Sequence, residues 1–463
     1  MILSAGTCSG DCYIPDGVNG PDFLALAAVL QQRATGGRIA FSEAWGDRIF
    51  RPLVMDPGGY SKLFDDLAAL AALVESVPAR FFGGDLCSLG AALGLEDAPL
   101  NVLRRLGRTI PLRSLRADIV LHPAGPSVVE LNWGSRLGGY DIDGLAPAVA
   151  AAFRACYGHG HRFRESPTDA LVEALEQQLP PGVLLADIDL TVVCGGEVSA
   201  ESPMMKSIVE HLSLRLPKVA LLDLNDLPRY ANSLSTSTCF PVVLRYFQVD
   251  DLTSDTALVD AVAKLYYLDA EVRAVFWTGL EGAVFASKGM LSILHELASS
   301  GALTEDEATV VRETVAPTWD ARALPEDWAS ASELVGLPLE SLLFKPKRGL
   351  GGGGIVAGAD IEPADVGEAW RAARDHDLVI QRRLDPIPVV AAPESGSAAS
   401  WRLVFGAFLT PLGPGGLVVR ARPWHEKSAV VSASGSLTSR VGTALVLDTS
   451  RDMNTKGVLH HAH

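Results

Sequence analysis

Two groups of residues in this 463-residue chain have types and spacings suited to chemistry. The first is FKPKRGLGGGGI, residues 344–355, where Lys345, Lys347 and Arg348 run directly into five glycines in six positions. Glycines lack a Cβ, so their backbone N–H groups can close on phosphate oxygens, and Lys345 would add a positive charge beside them. The second is RADIVLHPAGPSVVELN, which holds Asp118, Glu130 and Asn132, with Arg116 just ahead. Two carboxylates and an amide oxygen make an all-oxygen set suited to Mg2+. Arg116 is of the type that neutralises a phosphoryl or carboxylate group alongside.

Each group makes a demand on the elements that carry it. A Walker A loop needs Gly-Lys-Ser/Thr and then a helix, whereas the run here continues as IVAG, which reads as a strand, so that reading is excluded. A dinucleotide fingerprint also wants a helix opening at its third glycine. A linker would carry serine or charge among its glycines. What remains is strand, glycine turn, strand. That arrangement is either a cradle in which Gly351, Gly352 and Gly353 meet nucleotide phosphates, or a structural hairpin. In the second group, DIVLH and SVVELN flank the short gap PAGP and predict a β-hairpin. Glu130 and Asn132 then share a face, which Asp118 joins from the partner strand. The plain alternative is a polar strand face with solvated acids. A cradle and a metal-type cluster in one chain outweigh that alternative together, because ATP chemistry needs both.

Around these groups, residues 1–165 mix helical stretches such as PDFLALAAVLQQRA and LFDDLAALAALVESV with the hairpin. Residues 166–280 alternate TDALVEALEQQL, DLTVVCGG, PMMKSIVEHLSLRL, KVALLDL and PVVLRYF, a small sheet crossed by helices. Residues 281–450 open with a helical segment that turns at Ser300–Gly301, pass through the lysine–glycine stretch, and continue as LVIQRRL, WRLVFGAFL, GGLVVRARP and SAVVSASG. Residues 451–463 read as a poorly ordered tail. The expected class is α/β (α+β).

Composition narrows the function. Acids outnumber bases by 16, hydrophobic residues make up 48% and charged residues 20%, which fits a globular chain without the basic face of a nucleic-acid binder. The sequence shows no long apolar stretch and its start has no basic n-region, so a cytoplasmic location without membrane contact is expected. Six cysteines are too sparse for a disulfide framework, and the CxxxC of Cys8 and Cys12 lacks further ligands for zinc. Tyr140 and Asp141 either line an acceptor pocket or form a turn, His425 beside Glu426 reads as a solvated pair, and Met204 and Met205 as core.

The ordered set of motifs resembles the circularly permuted ATP-grasp ligases, the group that includes the synthetase domain of glutathionylspermidine synthetase. RAD followed by ELN is similar to that family's magnesium segment, and the resemblance implies Asp118, Glu130 and Asn132 as metal ligands, with Arg116 on phosphate or substrate. FASKGMLSIL implies Lys288 as a first ATP lysine, FKPKRGLGGGGI places Lys345 on the phosphates, and LVIQRRLDP puts Gln381 near the adenine hinge. WRLVFGAFLTPLGPGGLVVRARP makes Arg420 a contact to the transferred phosphoryl group. Residues 166–280 resemble a pre-ATP-grasp domain. The resemblance covers nearly the whole chain, but the glycine loop lacks the family's small hydroxyl residue and VVSASGS replaces its later asparagine.

That family implies an ATP- and Mg2+-dependent carboxylate–amine ligase working through an acyl-phosphate, in specialised peptide or natural-product assembly. Its substrates would be a small carboxylate and an amine, amino acids or peptides, free or held on a carrier protein, and it admits a homodimer. Two alternatives stay open on the sequence: a nucleotide-binding accessory protein without turnover, and a phosphotransferase that stops at the phosphorylated carboxylate.

Overall fold

Alternation in LRADIVLH sets the central layer of the molecule. In the strand Leu115–His122, Leu115, Ala117, Ile119 and Leu121 are buried in the main core, and Arg116 and Asp118 take the opposite face. The same division runs along Ala399–Thr410, which sends Leu403, Phe405, Ala407 and Leu409 inward, and along Gly413–Pro423, which sends Leu417, Val419 and Ala421 inward. Helix Pro57–Phe81 joins that core through Leu63, Leu67, Leu70, Val74 and Val77. Each such side chain contributes about 1.5–3 kcal/mol by leaving water. The opposite face carries Arg116, Asp118 and Arg420 together with Phe408 and Val418, which are buried in a second core.

The computed structural model of the chain describes residues 53–55, 57–107, 112–140, 161–162, 166–196, 198–234, 238–349, 352–391, 399–426 and 440–447. Cys8, Cys12, Asp141, Gly351, the helical stretch at 21–34, SAVVSASG and the 451–463 tail lie outside them.

The described chain forms three sheets. The largest has eight strands in the order Leu53–Met55, Arg440–Leu447, Gly413–Pro423, Ala399–Thr410, Leu115–His122, Gly125–Trp133, with Val389–Ala391 and His161–Arg162 paired to its side. The hairpin expected from DIVLH and SVVELN is present, with Asp118 opposite Glu130 and Arg116 opposite Asn132. Its register slips beyond that pair, because Ile119 faces Val128, so Val129 is the extra residue of a β-bulge. Bulges re-aim side chains and bend the strand.

The second sheet is antiparallel, in the order Val356–Ala357, Leu342–Pro346, Leu378–Arg382, Thr318–Asp320. Phe344 and Ile380 pack beneath it against Trp370 and Ala331, whereas Lys345 and Gln381 lie on its other face. The third is parallel, in the order Val219–Asp223, Ile188–Cys194, Phe240–Tyr246, Val275–Trp277. Its strands are apolar runs because both faces are covered: Val192 and Leu244 belong to one core, Val193 and Val243 to the other. Ser166 and Ser202 cap the helices Pro167–Glu176 and Pro203–Ser213 that pack on it. Met205 is fully buried there, and Tyr140 is core, its ring 5.1 Å from that of Phe408. Among the described residues no single helix is long and apolar enough to cross a membrane.

Candidate active site

The Asp118–Glu130 hairpin of the large sheet and the Lys345 face of the antiparallel sheet meet, and Glu130, Lys288, Lys345 and Gln381 are in contact across that junction, with Asp118, Arg116 and Arg420 beside Glu130. Gln381 supplies the join. Its Oε1 accepts from Lys345 Nζ, while its Nε2 donates to Val129 O at 3.2 Å and to Thr318 Oγ1 at 3.0 Å. The bulged residue thus offers its carbonyl to a side chain 252 positions away. A ladder carbonyl would already be used; the bulge is what frees this one.

Two carboxylates are the negative pole. Glu130 Oε1 sits 3.0 Å from Lys288 Nζ, and the same ammonium donates to Gly349 O at 3.1 Å, at the root of the glycine run. Asp118 lies between two arginines, with Arg116 Nε at 2.9 Å and Arg420 Nη2 at 2.7 Å. Burial disfavours its charge, yet the guanidiniums of Arg116 and Arg420 outweigh burial and bring the carboxyl down to about 2. Arg116 reaches across Gly406 to donate to Gly138 O at 2.6 Å. A Cβ at position 406 would fall 2.6 Å from Arg116 Cδ, so only glycine leaves the lane open.

Arg420 keeps a donor in reserve. Its Nη2 is paired with Asp118 Oδ1 at 2.7 Å, while its buried Nε makes no hydrogen bond among the described residues. Leaving a buried donor unsatisfied costs about 1–3 kcal/mol, which suits a group waiting for an anion.

Lys345 is buried, and burial pulls its ammonium down to about 8, Lys288 acting in the same direction and Glu130 against it. A lysine held out of water next to a second lysine is a receptor for negative charge. Lys347, by contrast, is fully engaged: it donates to Asp320 Oδ2 at 2.8 Å and to Asp377 Oδ1 at 2.7 Å. It fixes the strand end from which the glycines start. The side chain of Asn132 donates through Nδ2 to Arg116 O at 3.4 Å.

No protein-family profile matches the chain, and no curated protein matches it in sequence. Among solved structures, a glutathione synthetase-like effector (GSS30) from Globodera pallida, in its apo form, aligns with a TM-score of 0.58 at 13% identity, covering 94% of this chain and 99% of that one. The fold is glutathione synthetase-like.

Within that fold, Glu130, Asn132 and Asp118 could hold a divalent cation. Glu130 and Asn132 are oxygen donors of the kind Mg2+ takes alongside waters and phosphate oxygens, whereas both Asp118 oxygens meet guanidiniums, so Asp118 would serve as a ligand only by giving up part of its contact with Arg116 or Arg420. Among the described residues no group of three or more His, Cys, Asp or Glu gathers, so the amide of Asn132 is needed to complete a third ligand. Gly352 and Gly353 stand in the turn that follows Gly349; Gly352 has φ +80, a conformation open to glycine. His425 is exposed, and Glu426 pairs with Arg422. Sequence reasoning missed Thr318, which sets the Gln381 amide, and the two aspartates on Lys347. The KPK alternation was the available signal, since it puts Lys345 and Lys347 on one face.

Proposed function

We propose that this protein is an ATP-dependent carboxylate–amine ligase of the circularly permuted ATP-grasp type. The observation that carries the reading is the meeting of Glu130, Lys288, Lys345 and Gln381 in one slot, although the first precedes the others by most of a domain in the chain. The metal-type hairpin comes before the lysines and glycines, the order expected of the permutation. Residues 166–280 serve as the pre-ATP-grasp domain, and Tyr246, whose hydroxyl donates to Leu137 O at 2.9 Å, ties it to the segment after the hairpin.

In this reading Lys288 and Lys345 bind the nucleotide phosphates, Arg116 and Arg420 orient the substrate carboxylate against the γ-phosphoryl group, and Gln381 fixes Lys345. Mg2+ held by Glu130 and Asn132, with Asp118 beside them, would neutralise charge on the phosphates. Positive charge prearranged in a dry slot stabilises the transferring phosphoryl group at no reorganisation cost. The carboxylate is phosphorylated, ADP leaves, and an amine displaces phosphate to form the amide. No protein nucleophile is required: of the described cysteines, Cys194 is buried and its thiol is pushed up to about 12.

The test is to supply ATP, Mg2+ and a panel of amino acids and amines and follow ADP and phosphate. Release that requires both an acid and an amine is expected. Release of AMP and pyrophosphate would overturn the acyl-phosphate route, and a stable phosphorylated acid formed without an amine would make the protein a phosphotransferase.

A pH dependence follows from Lys345. Phosphates bind its protonated form, which the free protein loses as pH rises through about 8. Nucleotide affinity should therefore be flat below that pH and fall above it by up to about tenfold per unit, with proton uptake on binding. Calorimetric titration of AMP-PNP with Mg2+ across this range checks it; affinity unchanged above pH 8 would contradict it.

A further inference from the structure

Lys288 is aimed by a chain of contacts that begins in a different part of the molecule. Its ammonium is held between Glu130 Oε1 and Gly349 O, and its backbone N–H donates to Lys347 O at 2.9 Å. Lys347 cannot shift, being clamped by Asp320 and Asp377. Gly349 is less restrained: its φ of +144 belongs to glycine alone. What steadies its carbonyl is the residue before it. Arg348 forms a two-pronged pair with Asp250, Nη1 lying 3.0 Å from Oδ1 and Nη2 meeting Oδ2.

Asp250 stands on firm ground. It belongs to the short 3-10 turn Val249–Leu252 after the parallel-sheet strand Phe240–Tyr246, and Val249 and Leu252 on either side are fully buried. Its neighbour Asp251 accepts from Gln248 N at 2.7 Å and faces Arg136 at 3.5 Å. One turn thus bonds the residue leading into the glycine run through Asp250 and the segment after the metal-type hairpin through Asp251.

An exposed ion pair contributes little to folding. The Arg348 and Asp250 side chains are 28% and 42% exposed, so holding the fold together is a poor account of a fork-shaped contact across 98 positions. We propose that Asp250 is a positioning residue for Lys288: through Arg348 it holds Gly349 O where that carbonyl directs the ammonium at the phosphate slot. The proposal rests on the nucleotide-binding reading above, and extends it to a residue outside the slot.

The experiment compares the full-length protein with Asp250→Asn and with the exchanged pair Asp250→Arg/Arg348→Asp, measuring AMP-PNP with Mg2+ by calorimetry at low and high salt, and thermal unfolding of each. Asp250→Asn should bind about fivefold more weakly with an unchanged melting temperature, and the exchanged pair should recover to within about twofold of the wild type. Raising salt should weaken the wild type more than Asp250→Asn, narrowing the gap between them. A merely structural pair would move melting and not this salt dependence. Binding by Asp250→Asn equal to the wild type, or an exchanged pair as weak as the single variant, overturns the proposal. A wild type that binds no AMP-PNP overturns the nucleotide reading itself, a distinct result.

Discussion

Lys345→Met is expected to lower kcat/KM for acid- and amine-dependent ADP release by about a hundred- to a thousandfold while leaving the fold as stable as before or more so. Both halves come from one fact, the burial of an ammonium. With its pKa drawn from 10.5 to about 8, Lys345 costs the folded protein about 3 kcal/mol at neutral pH. The sign follows from linkage: between about pH 8 and the unfolded value the unfolded chain binds the extra proton, so stability rises with pH across that window. Methionine removes this cost and keeps the apolar stem, although Gln381 Oε1 loses its donor, which returns about 1–3 kcal/mol. Melting curves and steady-state kinetics on the same preparation decide the matter. A variant that keeps its activity would remove Lys345 from the chemistry. A variant that is clearly less stable would make Lys345 a structural residue. Glu130→Gln should lose activity as well, since Lys288 would then lack its counter-charge and the cation set one carboxylate.

Much of the site was legible because strands have a period of two. Glu130 and Asn132 on one strand and Arg116 and Asp118 on its neighbour could be placed on a common face from spacing alone, and the observed register sets them opposite each other. The glycine stretch was readable for the same reason, being caught between LLFKP and a short strand at Val356–Ala357. Other features left little local trace. The bulge at Val129 shows in SVVELN only as two adjacent valines breaking the alternation, which does not say which of them is the extra residue. Thr318–Asp320 has only three residues, too few for a periodicity, yet it provides both Thr318 for Gln381 and Asp320 for Lys347. Asp377 meets Lys347 from a backbone with φ +55, a conformation a sequence does not advertise for aspartate. The strand Arg440–Leu447 pairs in parallel with Leu53–Met55, and such distant pairing is set by tertiary packing more than by local preference. Gly406 reads as an incidental glycine in a strand until Arg116 is seen lying across it.

Asp118→Asn should destabilise the ligand-free protein by about 3–5 kcal/mol, because it leaves two guanidiniums in the interior of the slot without their carboxylate. The pair contacts are 2.9 and 2.7 Å, and the Asp118 side chain is only 6% exposed, so solvent screens little of the interaction. Acid should act like the mutation in part. A carboxyl held at about 2 in the folded state and near 3.9 in the unfolded chain gives stability that is present above the unfolded value and lost as pH falls toward 2, about 2–3 kcal/mol in all. Urea unfolding of both proteins from neutral pH downward should therefore show a gap that narrows below pH 4. The measurement separates two roles that activity alone would merge. A carboxylate that served only a metal would be repelled by Glu130 opposite it in the metal-free protein, and its removal would stabilise; a carboxylate that organises Arg116 and Arg420 must destabilise when removed. If the second outcome is found, Arg420→Gln placed on top of Asp118→Asn should recover part of the loss, since it takes away one of the two uncompensated charges. Equal stability of Asp118→Asn and wild type would mean that the arginines need no anchor. The slot would then not be prearranged for an anion, and the electrostatic account of phosphoryl transfer given above would lose its basis.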